Sequence, residues 1–515
     1  MKRILYISLL FILSNWVLSG CYKDEGNYTY HDINEVFIGE KGFVDTTYRV
    51  TAFVDTIRIE PELDFKLSEN TNLVYEWKII SSGVGGNTEI DAGRERNLVY
   101  PVDLPAKDYG LYYKVTDTVN SIEYLRTASI VVQSIQSAGW VLLGENDEGY
   151  VQMDMISIGT DTLILKNILN ENGLPPLKKP TCLWVIDNYD KNMTHIGTED
   201  GTYRINRETF LGGEETHFKY SFYDPSVTDK FVFQDAQQVR SYQRLVIVDG
   251  KAFHIAQLLG GEEFFGQPAN HYKGDYNFFS IGDKIGVNLK NLEQSFVLYN
   301  NTDKRFVRIG GTGARSTDGY CDSLVDTKND AGVFAWKTGL DYVTTINSRY
   351  IDGYTYTVLK DPSSNKFYLY SYKIVRNMFG GASNIVKNRK YELNNCPELE
   401  NARFFGASGT RTYIIYATDS KLYAYDYQAN KSKLIVDCGD KKITSLYYDL
   451  TLQTDGDFFY VATYDPALPA STGGTLTKYS VVNNPNEILI EAIPESTWTG
   501  LCKIKSIQYK RRYGF

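Results

Sequence analysis

Histidine and methionine are scarce in this 515-residue chain, with five of each, and there are six cysteines and six tryptophans. The five histidines are His31, His195, His217, His254 and His271, and no two have the HExxH spacing of a zinc hydrolase. His254 follows Phe253 inside an apolar run and reads as a packed core imidazole. No Gly-x-Ser-x-Gly is present, which excludes the usual serine-hydrolase elbow, and no CxxC supplies a redox or zinc pair. Gly310-Gly311-Thr312-Gly313 lacks the lysine of a phosphate loop and reads as a turn. There is no basic block and the formal charge is −9, so a nucleic-acid partner is excluded: phosphate binding needs clustered Lys and Arg. The apolar run Ile4 to Leu18 is too short for a stable transmembrane helix. No catalytic residue and no metal ligand is assigned on these grounds, and no cofactor is expected.

What is present begins with that run. Lys2-Arg3, the apolar stretch and Leu18-Ser19-Gly20-Cys21 have the layout of a signal peptide. Its ending resembles the lipobox of bacterial lipoproteins. The resemblance implies removal of residues 1–20 and lipidation of Cys21, with several acyl chains at about 0.8 kcal/mol per buried CH₂ giving a durable hold on outer-membrane lipid. Tyr22-Lys23-Asp24-Glu25 resembles the acidic export signal of Bacteroidota lipoproteins, implying an anchor that faces the cell exterior, with residues 21–35 as tether. Five cysteines remain: Cys182, Cys321, Cys396, Cys438 and Cys502. Buried free thiols, or one or two incidental disulfides, are expected of them.

Aromatic residues dominate the remainder, with 41 Tyr and 25 Phe, and 42 Gly punctuate it. This composition predicts an all-β protein. Leu73, Tyr75, Trp77 and Ile79 alternate with Val74, Glu76, Lys78 and Ile80, the period of a half-buried strand. Leu111, Tyr113 and Val115 repeat it, and Ile130-Val131-Val132 closes the segment. Residues 36–135 are therefore expected to form a β-sandwich with Trp77 in its core. Tyr75-x-Trp77, Gly110-Leu111-Tyr112-Tyr113-Lys114-Val115-Thr116-Asp117 and Gly26-Asn27-Tyr28-Thr29-Tyr30-His31-Asp32-Ile33-Asn34-Glu35 together resemble the PKD-like lipoproteins of Bacteroidota. The resemblance implies an Ig-like spacer or docking module, without the immunoglobulin disulfide.

Residues 137–515 carry an internal repeat of strand, polar turn and aromatic strand. One copy runs Val246-Ile247-Val248-Asp249-Gly250-Lys251-Ala252-Phe253, another Ile414-Ile415-Tyr416-Ala417-Thr418-Asp419-Ser420-Lys421-Leu422-Tyr423. The second strands start near Tyr150, Thr202, Ala252, Arg305, Phe367, Leu422 and Leu476, a spacing close to one four-stranded propeller blade. A β-propeller of about seven blades is predicted, with six or eight as alternatives. Lys503-Ile504-Lys505-Ser506-Ile507-Gln508-Tyr509 is similar to Lys442-Ile443-Thr444-Ser445-Leu446-Tyr447-Tyr448, which precedes the strand Phe458–Val461. By analogy the C-terminal strand should lie just ahead of Trp140–Leu143 and close the ring.

Candidate ligand contacts are aromatic. Tyr272, Tyr276, Phe278 and Phe279 fall in the loop-like stretch Asn270 to Gly282, and Trp336 and Trp498 are further candidates. Asp187, Asp190 and Asn192, or Asp455 and Asp457, could hold a structural Ca²⁺, although β-turns favour the same residues. The family resemblance implies a non-catalytic accessory subunit of a TonB-dependent importer of the starch-utilisation type. Its partners would be the transporter and its lid lipoprotein, and its ligand an oligopeptide or glycan. The alternative is a propeller-based surface hydrolase or lyase, which two carboxylates with a His or Tyr in the central funnel would favour.

Overall fold

The computed structural model describes residues 33–39, 43, 47–69, 72–83, 86–158, 162–185, 193–239, 243–256, 264–288, 295–309, 319–330, 332–375, 383–450 and 456–511. Cys21, Asp187, Asp190, Asn192, Asp455 and the glycines at 310–313 lie outside them. The chain divides into two units, Met1–Gln133 and Ser134–Phe515. Among the described residues no helix is long and apolar enough to cross a membrane.

In the first unit the alternation read from the sequence becomes a buried and a wet face. Leu73–Gly83, Asp108–Asp117 and Ile122–Gln133 are the long strands of a five-stranded sheet, completed by Gly86–Gly93 and by Thr47–Thr51, which runs parallel to Ile122–Gln133. Two small ladders, Val36–Ile38 with Leu63–Phe65 and Thr56–Ile59 with Leu98–Pro101, supply the opposing layer. Trp77 is fully buried, stacks on Tyr113 with ring centres 4.1 Å apart, and donates its indole N–H to the Glu95 carbonyl at 3.0 Å. On the wet face Glu76 stands opposite Lys114, and their ion pair at 2.8 Å holds the Glu76 carboxyl below its usual pKa.

The second unit is a ring of seven blades. From the innermost strand outward, blade 1 is Lys503–Lys510, Gly139–Glu145, Val151–Ile158 and Thr162–Leu165. Blade 2 is Pro180–Val185, Met193–Thr198 and Gly201–Asn206, and blade 3 is Phe233–Val239, Gln243–Val248 and Lys251–Ala256. Blade 4 is Phe296–Asn300, Arg305–Ile309 and Asp322–Ser323, with residues 281–287 bridged to its inner edge. Blade 5 is Asp341–Asn347, Tyr354–Lys360, Phe367–Val375 and Asn384–Glu392. Blade 6 is Phe404–Ala407, Tyr413–Ala417, Lys421–Asp426 and Lys431–Asp437. Blade 7 is Lys442–Tyr448, Phe458–Tyr464, Gly474–Val481 and Ile490–Leu501. The repeated aromatic strand is the third of every blade. The C-terminal strand pairs antiparallel with Gly139–Glu145, setting Tyr509 opposite Trp140, as the sequence analogy requires.

The continuous apolar runs follow from this geometry, because a propeller strand is buried on both faces. In blade 4, Phe296 and Leu298 enter the wedge with blade 3, while Val297 and Tyr299 enter the wedge with blade 5. Each of the seven gaps between consecutive blades holds its own apolar cluster, including the one that joins blade 7 to blade 1 through Trp140, Tyr460 and Ile507. Polar ties accompany the wedges. Ser506 accepts the Leu183 amide at 3.1 Å, Asp235 accepts the Ile285 amide at 2.8 Å, and Asn347 bridges Val287 N–H and the Ile285 carbonyl. Ser348 donates to the Ser408 carbonyl at 2.7 Å, and Asp147 grips the amide and hydroxyl of Ser471.

Cys182, Cys321, Cys396, Cys438 and Cys502 are free thiols, buried or half-buried. Burial pushes Cys182 and Cys396 up to about 12, so neither is a thiolate at neutral pH.

Candidate functional site

The innermost strands of blades 1, 2, 3, 5, 6 and 7 and the 281–287 edge of blade 4, antiparallel to Phe296–Asn300, hold equivalent places in their blades, so their first residues share one end of the ring. At that end blades 2 to 5 bring Cys182, Asp235, Asp283, Lys284 and Tyr342 within electrostatic reach of one another. Asp235, Lys284, Tyr342 and Cys182 are each partly buried, and the Tyr342 hydroxyl is closed off from solvent. They lie on the inner edges of their blades, around the axial shaft of the ring. Burial raises the Asp235 pKa, opposed by Lys284 and by the Ile285 amide. Burial also works against the Lys284 ammonium, but Asp235 and Asp283 outweigh it and the pKa rises, so the lysine stays charged. Its Nζ also reaches the Gln234 carbonyl at 3.4 Å. Tyr342 stacks on Tyr299 at 5.8 Å and lies over Gly282, where a Cβ would meet its ring at 2.5 Å. Burial holds its phenol far above the usual pKa; the Thr345 hydroxyl tempers this without forming a well-directed hydrogen bond.

The connection from blade 3 into the inner edge of blade 4 lies at the same end of the ring. Ser280 is fixed there by the Asn301 amide at 2.8 Å and by Thr302 Oγ1 at 3.1 Å, beside the turn that follows Asn300. Within this loop His271 is 7% exposed and Nδ1 faces two carbonyls, Tyr272 at 2.9 Å and Asp275 at 2.8 Å. Two acceptors on one nitrogen require Nδ1 to carry the proton. The anchored imidazole supports two exposed rings, Tyr276 at 78% and Phe278 at 48%. Tyr276 stacks on it with centroids 5.4 Å apart, and Phe278 meets it at 5.6 Å and 89°.

The other aromatic candidates go elsewhere. Tyr272 packs on Phe279, donates to Asp303 at 2.8 Å and accepts from Asn300 at 3.0 Å, so it fixes the loop from beneath. Phe279 is buried in the wedge between blades 3 and 4. Trp336 must be corrected as a ligand contact: it is 2% exposed and packs edge-on against Phe306 and Phe334, with Lys387 above it. A wedge between diverging sheets needs bulky fillers, and Trp336 is one. Trp498 lies half-buried on the outermost strand of blade 7, opposite Leu476. It shares no element with Tyr276 and Phe278.

Asp457, a candidate for Ca²⁺, is instead filled by protein donors: the hydroxyls of Ser408, Thr410 and Tyr448 and the amides of Gly409 and Thr410. It ties blade 6 to blade 7. Among the described residues no group of three or more His, Cys, Asp or Glu is arranged to hold a metal ion. Sequence reading missed the shaft residues, because their only signal was a charged or polar residue at the start of an inner strand in successive repeats.

Residues 21–180 match the model of the PKD-like family. The N-terminal unit is a PKD-like domain, and the match runs on into blade 1 of the propeller. No curated protein matches the chain. Among solved structures, it is similar to a quinonprotein alcohol dehydrogenase-like protein from Bacteroides thetaiotaomicron, with 12% identity, a TM-score of 0.38 and coverage of 92% of this chain and 99% of that one. The extracellular domain of a putative one component system from B. thetaiotaomicron follows at 10% identity and a TM-score of 0.35, covering 90% and 70%. Citrobacter koseri AztD has 10% identity and a TM-score of 0.32, covering 85% and 98%. At that distance these likenesses say nothing of chemistry.

Proposed function

We propose that this chain is a lipid-anchored, cell-surface binding protein without catalytic activity. Cys21 holds it to the outer membrane, the PKD-like domain is the spacer or docking module, and the propeller is the binding head. The observation that carries this reading is the exposed pair Tyr276 and Phe278, braced by a buried and hydrogen-bonded His271 at the end of the ring where the shaft opens. Large apolar rings held rigidly in water are costly to display and are characteristic of recognition surfaces. The head serves a TonB-dependent importer as an accessory subunit, with the transporter and its lid lipoprotein as partners and an oligopeptide or glycan as ligand. Support for the importer role comes from the lipobox-like N-terminus and the PKD-like match. A pull-down through a C-terminal tag from mildly solubilised outer membranes is expected to recover transporter and lid in stoichiometric amounts. Recovery of the lipoprotein alone would count against the importer role.

A second reading has an observation of its own. Asp235 and the exposed Asp283 lie near enough to Lys284 and Tyr342 to act on them electrostatically, and burial pushes Asp235 toward its protonated form; two carboxylates beside a tyrosine and a lysine are groups a hydrolase or lyase could use. Against it stands the structural task of Asp235, which ties blade 3 to blade 4 through the Ile285 amide. Turnover of a glycan or peptide that disappears in Asp283→Asn would establish the enzyme reading.

A further inference from the structure

We infer that the platform formed by Tyr276 and Phe278 is a carbohydrate site, which takes the weakly polar C–H face of a pyranose ring. This rests on the reading of the propeller as a binding head and names its ligand class. Three features carry it. First, two exposed rings differing in tilt flank one imidazole: Tyr276 lies 27° from the His271 plane and Phe278 89° from it, with centroids 5.4 and 5.6 Å from the imidazole, so the two ring planes differ by at least 62° (89° − 27°). Exposed ring faces of this kind suit the C–H face of a sugar ring. Second, the rings are ordered before any ligand arrives. The His271 N–H holds the carbonyls of Tyr272 and Asp275, and Tyr272 is locked to Asp303 and Asn300, so little loop entropy remains to be lost on binding.

Third, the polar groups beside the rings suit hydroxyls. Asp275 Oδ1 accepts the backbone and side-chain N–H groups of Asn277 at 3.0 and 2.8 Å, which orients both side chains on the exposed loop. A carboxylate oxygen and an amide oxygen so placed accept from vicinal hydroxyls, and exposed Lys273, resting over Tyr320, can donate. A peptide that binds by strand addition gains its affinity by pairing its backbone with an open strand edge, and the rings stand on a loop that offers none; a polyproline-type peptide, which docks on aromatic rings, is the competitor that the peptide probe tests.

The test uses the whole soluble chain lacking residues 1–20, run in native gels containing an α-glucan, a β-glucan, a β-mannan or a xylan, with a tryptic digest of casein as peptide probe in solution. Retardation in at least one polysaccharide is expected, and it should weaken about tenfold or more in Tyr276→Ala and in Phe278→Ala, the loss of one stacked ring. Trp498→Ala should migrate like the parent. Both platform side chains are exposed, so their truncation leaves the fold intact. Absence of retardation in every polysaccharide, or retardation that survives Tyr276→Ala, overturns the inference. Casein-peptide capture that depends on Tyr276 overturns the carbohydrate class while leaving the binding head standing.

Discussion

At the scale of single residues, His217 shows how one imidazole can be built into a fold in one charge state. Its Nδ1 accepts the Lys219 amide at 3.0 Å and its other nitrogen donates to the Asp229 carbonyl at 2.9 Å, so the ring is held neutral with one tautomer fixed. Burial, with some help from Lys219, lowers its pKa from 6.5 to about 4. Protonation would place a hydrogen on the nitrogen that must accept. A His with a depressed pKa stabilises the fold fully above 6.5 and loses that contribution as the pH falls toward 4, about 3 kcal/mol in all. Urea unfolding of the parent and of His217→Phe should therefore show a stability gap that narrows by about that amount between pH 7 and pH 4. A gap that stays constant would remove His217 from the acid response. Lys284 makes the opposite case. Replacement by Met leaves Asp235 buried without its cation, which should cost about 3 kcal/mol at pH 8. The deficit should shrink as the pH is lowered from 8, because a carboxyl whose folded pKa is raised destabilises the fold only once it ionises. A deficit independent of pH would show that Lys284 contributes packing alone.

Among the elements, the C-terminal strand matters most, since it is inserted as the innermost strand of blade 1 and closes the ring. Its path requires a bulge between Leu143 and Gly144, where the chains approach so closely that a Cβ on Gly144 would lie 2.5 Å from the Lys503 carbonyl and 2.6 Å from Cys502 Sγ. Gly144→Ala should therefore cost about 2 kcal/mol through overpacking. It should also make the segment after Leu501 the first to be cut in limited proteolysis. Wild-type resistance in that variant would mean that the clasp can shift to admit a methyl group. The same closure explains Trp140, which lies 4.0 Å from the ring of Tyr460 on blade 7 and 4.8 Å from Tyr509 on the closing strand.

For the whole molecule, the two units have separate cores. Trp77, Tyr113, Leu111 and Ile130 belong to a cluster drawn entirely from the PKD-like domain. A fragment of residues 21–133 should thus fold alone and melt cooperatively, followed by the emission of Trp77, its only tryptophan. A red-shifted, non-cooperative fragment would show that the sandwich needs the propeller. The propeller, in turn, has no single centre: its stability is shared among seven wedges, each fed by two blades.

What the sequence by itself determined was periodic. Alternation from Leu73 to Ile80 set the half-buried strand, and recurrence of the aromatic strand set the repeat and a count of about seven, which the structure fixes at seven. The likeness of Lys503–Tyr509 to Lys442–Tyr448 placed the closing strand, because local pattern and repeat length dictate which elements form and how often. Convergence was decided only by the tertiary structure. Asp235, Asp283, Lys284 and Tyr342 come from three successive repeats and meet because inner strands share an axis. Phe278 and Trp336 are both aromatic candidates for ligand contact, yet one stands in water and the other fills a wedge. Exposure is a property of what packs above a side chain, and no local pattern records that.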